Sequence, residues 1–117
     1  MRVFDSQYKI KQKEKANWFK KVPQITYVLY LCNAVKDEVG IEEITGQAIL
    51  TYPRDFTFRQ DKKNIPDMSL ILMTLLEAKK KEWAYVKGNW YEGWKLTRRG
   101  LYFAKDIERR IKNKKRI

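Results

Sequence analysis

A chain of 117 residues with 44% hydrophobic content has room for one domain with one core, which excludes disorder of the whole. Lysine and arginine total 26 against 14 acidic residues, a formal charge of +12, and the absence of histidine excludes histidine-dependent acid–base or metal chemistry. The basic surplus attracts polyanions and lies at the two ends: residues 1–23 hold seven basic and two acidic side chains, 24–60 three and five, 61–97 seven and five, and 98–117 nine and two.

In chain order, residues 1–23 mix lysines with Val3, Phe4, Tyr8, Ile10, Trp18 and Phe19, too irregularly for a helix stripe. The aromatics predict a basic segment docked on the domain that fills 24–117. Pro23 opens a helix whose run "QITYVLYLCNAVKDEV" is apolar on nearly every side up to Gly40. It is the expected central buried helix, with Cys32 a small buried hydrophobe rather than a reactive thiol or a disulfide partner. No run reaches the eighteen or so apolar residues of a membrane span, and the N-terminus lacks a signal peptide's apolar stretch. The expected location is therefore intracellular, in cytoplasm or nucleoid, away from membranes.

"EEITGQAIL" reads as a shorter helix with Glu42 and Glu43 at its positive end. "TYPRDFTFRQDKKN" follows, where Phe56 and Phe58 alternate with polar residues as one short strand or an ordered loop. Pro66 and Asp67 begin a third helix, "PDMSLILMTLLEAKKK", with acid early and lysines late. Its Leu70, Met73 and Leu76 are read as core, with a dimer or partner surface as the other reading. A hairpin comes next: Trp83 to Lys87 as one strand, a loop from Gly88 to Gly93, and Trp94 to Thr97 as the return. Trp83, Tyr85 and Trp94 are expected to pack in it. Thr97 caps a last helix with Leu101, Ala104, Ile107 and Ile111 on one face and Arg98, Arg99, Lys105, Arg109, Arg110 and Lys112 on the others.

The predicted class is mainly α with a small β-hairpin, an α+β domain. Residues 70–107 also resemble winged-helix DNA-binding domains. There a helix ends at a Leu-Leu-Glu run, a hairpin follows, and its second strand closes with an aromatic-x-Leu-Thr-x-x-Gly signature, here Trp94, Leu96, Thr97 and Gly100. Residues 24–69 match only by element order. The resemblance implies a three-helix core, a wing and a C-terminal helix, with the third helix (Asp67 to Lys81) in the major groove and the wing tip (Lys87 to Gly93) on the backbone or minor groove.

Two features move the expected docking toward phosphates. The gap from Thr51 to Ile65 is far longer than a helix-turn-helix turn, and the third helix offers Ser69, Thr74 and the terminal lysines where base edges need Arg, Lys, Asn or Gln. Phosphates are met by Lys and Arg regardless of sequence. The candidate DNA-binding residues are therefore Lys79, Lys80, Lys81, Lys87, Asn89, Trp90, Tyr91, Lys95, Arg98 and Arg99. Trp90 and Tyr91 can lie against a sugar or stack on an unpaired base, or simply pack.

The leading reading is a small regulator-like protein that binds nucleic acid, duplex DNA foremost, with a homodimer or protein partner left open. The alternative is a protein-interaction winged-helix module within a nucleoprotein assembly. Terminal charge runs also serve as solubilising tails. Pro66-Asp67 with Glu77 to Lys79 spells a nuclease-type "PD…ExK", but the run between is helical and turns Glu77 and Lys79 to different sides. With no Gly-rich phosphate loop either, neither enzymatic activity nor a cofactor or metal is expected.

Overall fold

The computed structural model describes residues 17–115. Four helices and two antiparallel hairpins form one α+β unit: α1 (Trp18–Leu31), α2 (Ile41–Thr51), β1 (Thr57–Gln60), β2 (Lys63–Pro66), α3 (Met68–Lys79), β3 (Val86–Asn89), β4 (Gly93–Leu96) and α4 (Arg98–Lys115). Among the described residues no helix is long and apolar enough to cross a membrane. Of the segment 1–23 expected to dock on the domain, residues 1–16 lie outside the described residues. The rest belongs to the start of α1.

The central position of α1 follows from its composition. Val22, Ile25, Val28 and Leu29 are wholly buried, and the helix packs against α2, α3, α4 and β4. Each such side chain contributes roughly 1.5–3 kcal/mol. Two expected boundaries are corrected here. The helix starts at Trp18, five residues before Pro23, so the proline lies inside it. The backbone bond that Pro23 cannot make would go to the Phe19 carbonyl, in the first turn of the helix.

The helix also stops at Leu31 instead of running to Gly40. Asn33 turns left-handed at φ 61°, its N–H donates to the Tyr30 carbonyl, and the Ala34 N–H donates to the Leu29 carbonyl. That pair of bonds is the Schellman ending, which asparagine tolerates better than other side-chain-bearing residues. Cys32, at the C-cap, is half-buried beside Glu43, whose carbonyl accepts from its Sγ at 3.9 Å.

The stretch 51–65 holds a hairpin where one strand or a loop was expected, with Phe58 opposite Ile65 and Arg59 opposite Asn64. Asp61 (φ 50°) and Lys62 (φ 65°) make its tight turn without glycine. Phe56, wholly buried, anchors its base, and the Phe56 carbonyl accepts from the Asp67 N–H at 2.9 Å. Asp55 is held by Lys20 (3.0 Å), Lys21 (3.5 Å) and Gln24 (2.9 Å) of α1.

Asp67 caps α3 by accepting from the Leu70 N–H at 3.0 Å, so the helix begins one residue later than expected and ends at Lys79. Ile71, Thr74, Leu75 and Ala78 form its buried face. The core reading of Met73 and Leu76 is therefore corrected: they are 37% and 50% exposed, one step round the helix from that face, while Leu70 is half-buried. Thr74 is also removed from the surface, its hydroxyl donating to the Leu70 carbonyl at 2.7 Å.

The first strand of the second hairpin starts later than expected, and the second starts one residue earlier, at Gly93. After α3, Ala84 turns left-handed at φ 53° and donates its N–H to the Lys80 carbonyl, so Trp83 and Ala84 form a turn and pairing begins at Val86. The loop shrinks to Trp90–Glu92, between the paired Asn89 and Gly93. Val39 adds a third, one-residue strand by exchanging both backbone bonds with Trp94, at 2.8 and 2.9 Å. Gly93 allows this approach: its φ is 100°, and a Cβ there would stand 2.8 Å from the Val39 carbonyl oxygen.

Thr97 caps α4 as expected, accepting from the Gly100 N–H at 3.0 Å and donating to the Ala84 carbonyl. On the expected core face only Ala104 is fully buried, while Leu101, Ile107 and Ile111 are half-buried. Tyr30 of α1 donates to Glu108 at 3.2 Å and fixes the helix further along.

Candidate nucleic-acid interface

Strand alternation sorts the wing's side chains. Val86, Trp94 and Leu96 point into the core, so the directly opposed Lys87 and Lys95 share the outer face. Two like charges in that position destabilise a hairpin on their own. Lys95 is relieved by the Lys36 carbonyl at 3.3 Å and Glu38 at 3.8 Å; Lys87 is exposed and has no ionic partner among the described residues.

The three lysines at the end of α3 are not equivalent. Lys79 donates to the Gly88 carbonyl at 2.8 Å and lies 5.9 Å from the centre of the Trp94 ring, strapping helix to wing. Lys80 pairs with Glu77 at 2.9 Å, and Glu77 also accepts from the Trp83 indole at 2.9 Å. Burial pushes the Glu77 carboxyl up, but those two hydrogen bonds outweigh it and hold the group below its ordinary range. Lys81 is exposed and unpaired among the described residues.

Arg98 and Arg99 occupy the first turn of α4, where the helix dipole is positive and no acidic residue answers it. Such a placement costs about 0.3–1 kcal/mol per charge. Arg99 recovers part of this by lying over the Tyr85 ring at 5.6 Å, which in turn stacks on Phe103 at 4.4 Å. Because the Thr97 N–H binds the Tyr85 carbonyl, both arginines stand beside the entry to the wing. Lys81 after α3, Lys87 on β3 and Arg98 and Arg99 at the start of α4 are all exposed and have no ionic partner among the described residues.

At the wing tip Asn89 is committed to structure: its Oδ1 accepts from the Tyr91 and Glu92 N–H groups at 2.9 and 2.8 Å. Trp90 and Tyr91 lie ring to ring at 3.9 Å, and they are 62% and 79% exposed. Trp90 also closes a shallow apolar pocket of about 300 Å³ with Ile41, Met68, Ser69 and Leu72. Trp94 and Tyr85 are buried, as expected of hairpin-packing aromatics, and Trp83 is half-buried.

The nuclease-like letters do not converge. Asp67 and Glu77 sit at opposite ends of α3, about 15 Å apart along its axis, the first capping the helix and the second paired with Lys80 and Trp83. Among the described residues no cluster of three or more His, Cys, Asp or Glu could hold a metal.

The sequence reading passed over one group of cations, Arg54, Arg59, Lys62 and Lys63 on and beside the β1–β2 hairpin. All four are exposed and without an ionic partner among the described residues. Their segment is near neutral overall, which hid them; the Asp61-Lys62 turn between two short polar strands is the signal that finds them. Comparison of the chain with protein-family models, curated proteins and solved structures finds no match.

Proposed function

We propose that this is a non-catalytic winged-helix domain that binds nucleic acid inside the cell, duplex DNA foremost, chiefly through the phosphate backbone and in a regulator-like role. The observation that carries the reading is the pair Arg98 and Arg99 in the first turn of α4, beside unpaired Lys87 and Lys81. Folding alone disfavours positive charge there, whereas an anionic backbone is attracted by the side chains and the helix end together. The element order supports the winged-helix assignment, as does the Val39 bridge that gives the wing a third strand.

The test is a titration of labelled duplex DNA at rising salt. Affinity is expected to fall with a log–log slope of about −0.9 per neutralised phosphate. Substituting Lys87, Arg98 and Arg99 by alanine is expected to reduce that slope while the fold melts as before. A flat salt response of the parent protein rejects the proposal.

A second reading, a protein-interaction module within a nucleoprotein assembly, is favoured by the apolar character of the outer surface of α3. Met68, Met73 and Leu76 are exposed there, and the Met68–Leu72–Trp90 pocket opens beside them. Such a surface suits a protein partner better than a phosphate chain.

A further inference from the structure

The β1–β2 hairpin does little for the core beyond its base. Of its eight strand residues none is fully buried, and Arg59, Gln60, Lys63 and Asn64 are all exposed. A two-stranded ribbon of this kind is marginal in water, and its turn places two side-chain-bearing residues, Asp61 and Lys62, in the left-handed region. Yet its root is firmly set, through buried Phe56, the Asp55 bonds to α1 and the Phe56–Asp67 backbone bond. A rigidly rooted, projecting ribbon costs stability and contributes little packing, so its outer residues call for another explanation.

Those residues have a definite chemistry. Arg59, Gln60, Lys63 and Asn64 are side-chain types that read base edges, and of these types α3 offers only Lys79, at its very end. The register divides them. Phe58 and Ile65, opposed, lie on one face with Gln60 and Lys63; Arg59 and Asn64, also opposed, lie on the other with no apolar neighbour but Pro66. The major groove of duplex DNA admits a two-stranded ribbon, with arginine suited to guanine and asparagine to adenine. Position agrees as well. The ribbon runs directly into the first turn of α3, where Met68 and Ser69 meet Trp90 of the wing, so both hairpins converge on one end of that helix.

We infer that the β1–β2 ribbon is the base-reading element of this domain, with Arg59 and Asn64 directed at base edges in the major groove and Lys62 and Lys63 at the flanking phosphates. This rests on the nucleic-acid reading above: the wing and the start of α4 supply sequence-independent grip, and the ribbon supplies sequence preference in place of α3.

The experiment selects duplexes from a random pool with the full chain, then compares the parent, Arg59→Ala/Asn64→Ala, and Lys87→Ala/Arg98→Ala/Arg99→Ala, each shown to be folded by thermal melting. The parent is expected to enrich a short base preference. The ribbon variant is expected to lose roughly five- to a hundredfold of discrimination at one or more positions. The wing variant is expected to bind all sequences more weakly with the preference kept. No base preference in the parent, or a ribbon variant with the parent's preference, overturns the inference and leaves the proposed function standing. A uniform loss of affinity in the ribbon variant also overturns it, because the ribbon would then be a phosphate arm only. Absence of salt-dependent duplex binding by the parent instead overturns the proposed function, and the inference with it.

Discussion

A Cβ on Gly100 would overlap the carbonyl oxygen of Tyr85, the same oxygen that accepts from the Thr97 N–H. The start of α4 is thus pressed against the entry to the wing, and only glycine allows the approach. Each of the four signature residues therefore has a physical role. Trp94 and Leu96 fill the core, Thr97 caps the helix, and Gly100 lets it close.

From that contact, Gly100→Ala is expected to destabilise the fold by about 1–3 kcal/mol, because the obstructing atom is backbone and cannot swing away. Gly46→Ala is the control: it lies exposed inside α2 with nothing within 4 Å of the added Cβ, and should stabilise by about 0.4–1 kcal/mol. Thermal melting of the two variants reads opposite signs, and equal melting temperatures would show that α4 can shift off Tyr85.

Three of the misplaced parts of the fold share one cause. Asn33 ends α1 early, Asp61 and Lys62 turn the unforeseen hairpin, and Ala84 delays the wing; all four have positive φ without being glycine. Composition marks left-handed backbone only through glycine, and less reliably through asparagine, so these turns leave little trace in the string. The end that side-chain chemistry signals and places correctly is the Thr97 cap; Asp67, expected one position inside the helix, caps it instead, and Gly40, expected to stop α1, precedes α2. The site divides in the same way. Lys87, Arg98 and Arg99 could be placed because strand and helix periods fix their faces. The pairing of Lys80 with Glu77 follows the i,i+3 spacing of a helix end and was legible in principle, whereas the commitment of Asn89 to its own loop depends on turn geometry.

Acid sensitivity follows from two carboxylates. Burial pushes Asp55 up, but hydrogen bonds from Lys20 and Gln24 and the nearby Lys21 and Lys20 charges bring it below its ordinary 3.8; Glu77 likewise lies below its ordinary 4.5. A carboxyl depressed on folding adds stability above its unfolded value, and that stability is lost as pH falls through the lower folded value. The melting temperature should therefore hold near neutrality and fall as pH drops below about 4.5. Asp55→Asn and Glu77→Gln should each melt lower at pH 7 and respond less to acid. Variants as acid-sensitive as the parent would place the linkage elsewhere.

Cys32 should be a poor nucleophile in the folded protein. Burial first, and the Glu43 charge second, push its thiol up to about 11. At pH 8 roughly one molecule in a thousand then carries a thiolate, against about a quarter for an unperturbed thiol. A thiol reagent should label the native protein at least tenfold more slowly than the denatured chain. Equal rates would mean that the contact between Cys32 and α2 at Glu43 opens freely.

The outer face of α3 separates the proposed mode of duplex binding from its alternatives. Met73 and Leu76 are exposed and apolar, and neither can donate to a base edge or a phosphate. If grip comes from the wing and the start of α4, with reading by the β1–β2 ribbon, the Met73→Gln/Leu76→Gln variant should bind duplex DNA within about twofold of the parent. It should also stay folded, since polar substitution at exposed positions usually changes stability by less than about 0.5 kcal/mol. If α3 instead enters the groove as in the usual winged-helix docking, two added amides at its centre should change affinity or base preference well beyond that. Sedimentation of parent and variant at high concentration reads the remaining possibility. A parent that self-associates through this face should become monomeric on substitution, which would assign the apolar surface to a second copy of the chain. Unchanged DNA binding, unchanged melting and a monomeric parent together are the outcome expected from a domain that grips with its wing and reads with its ribbon.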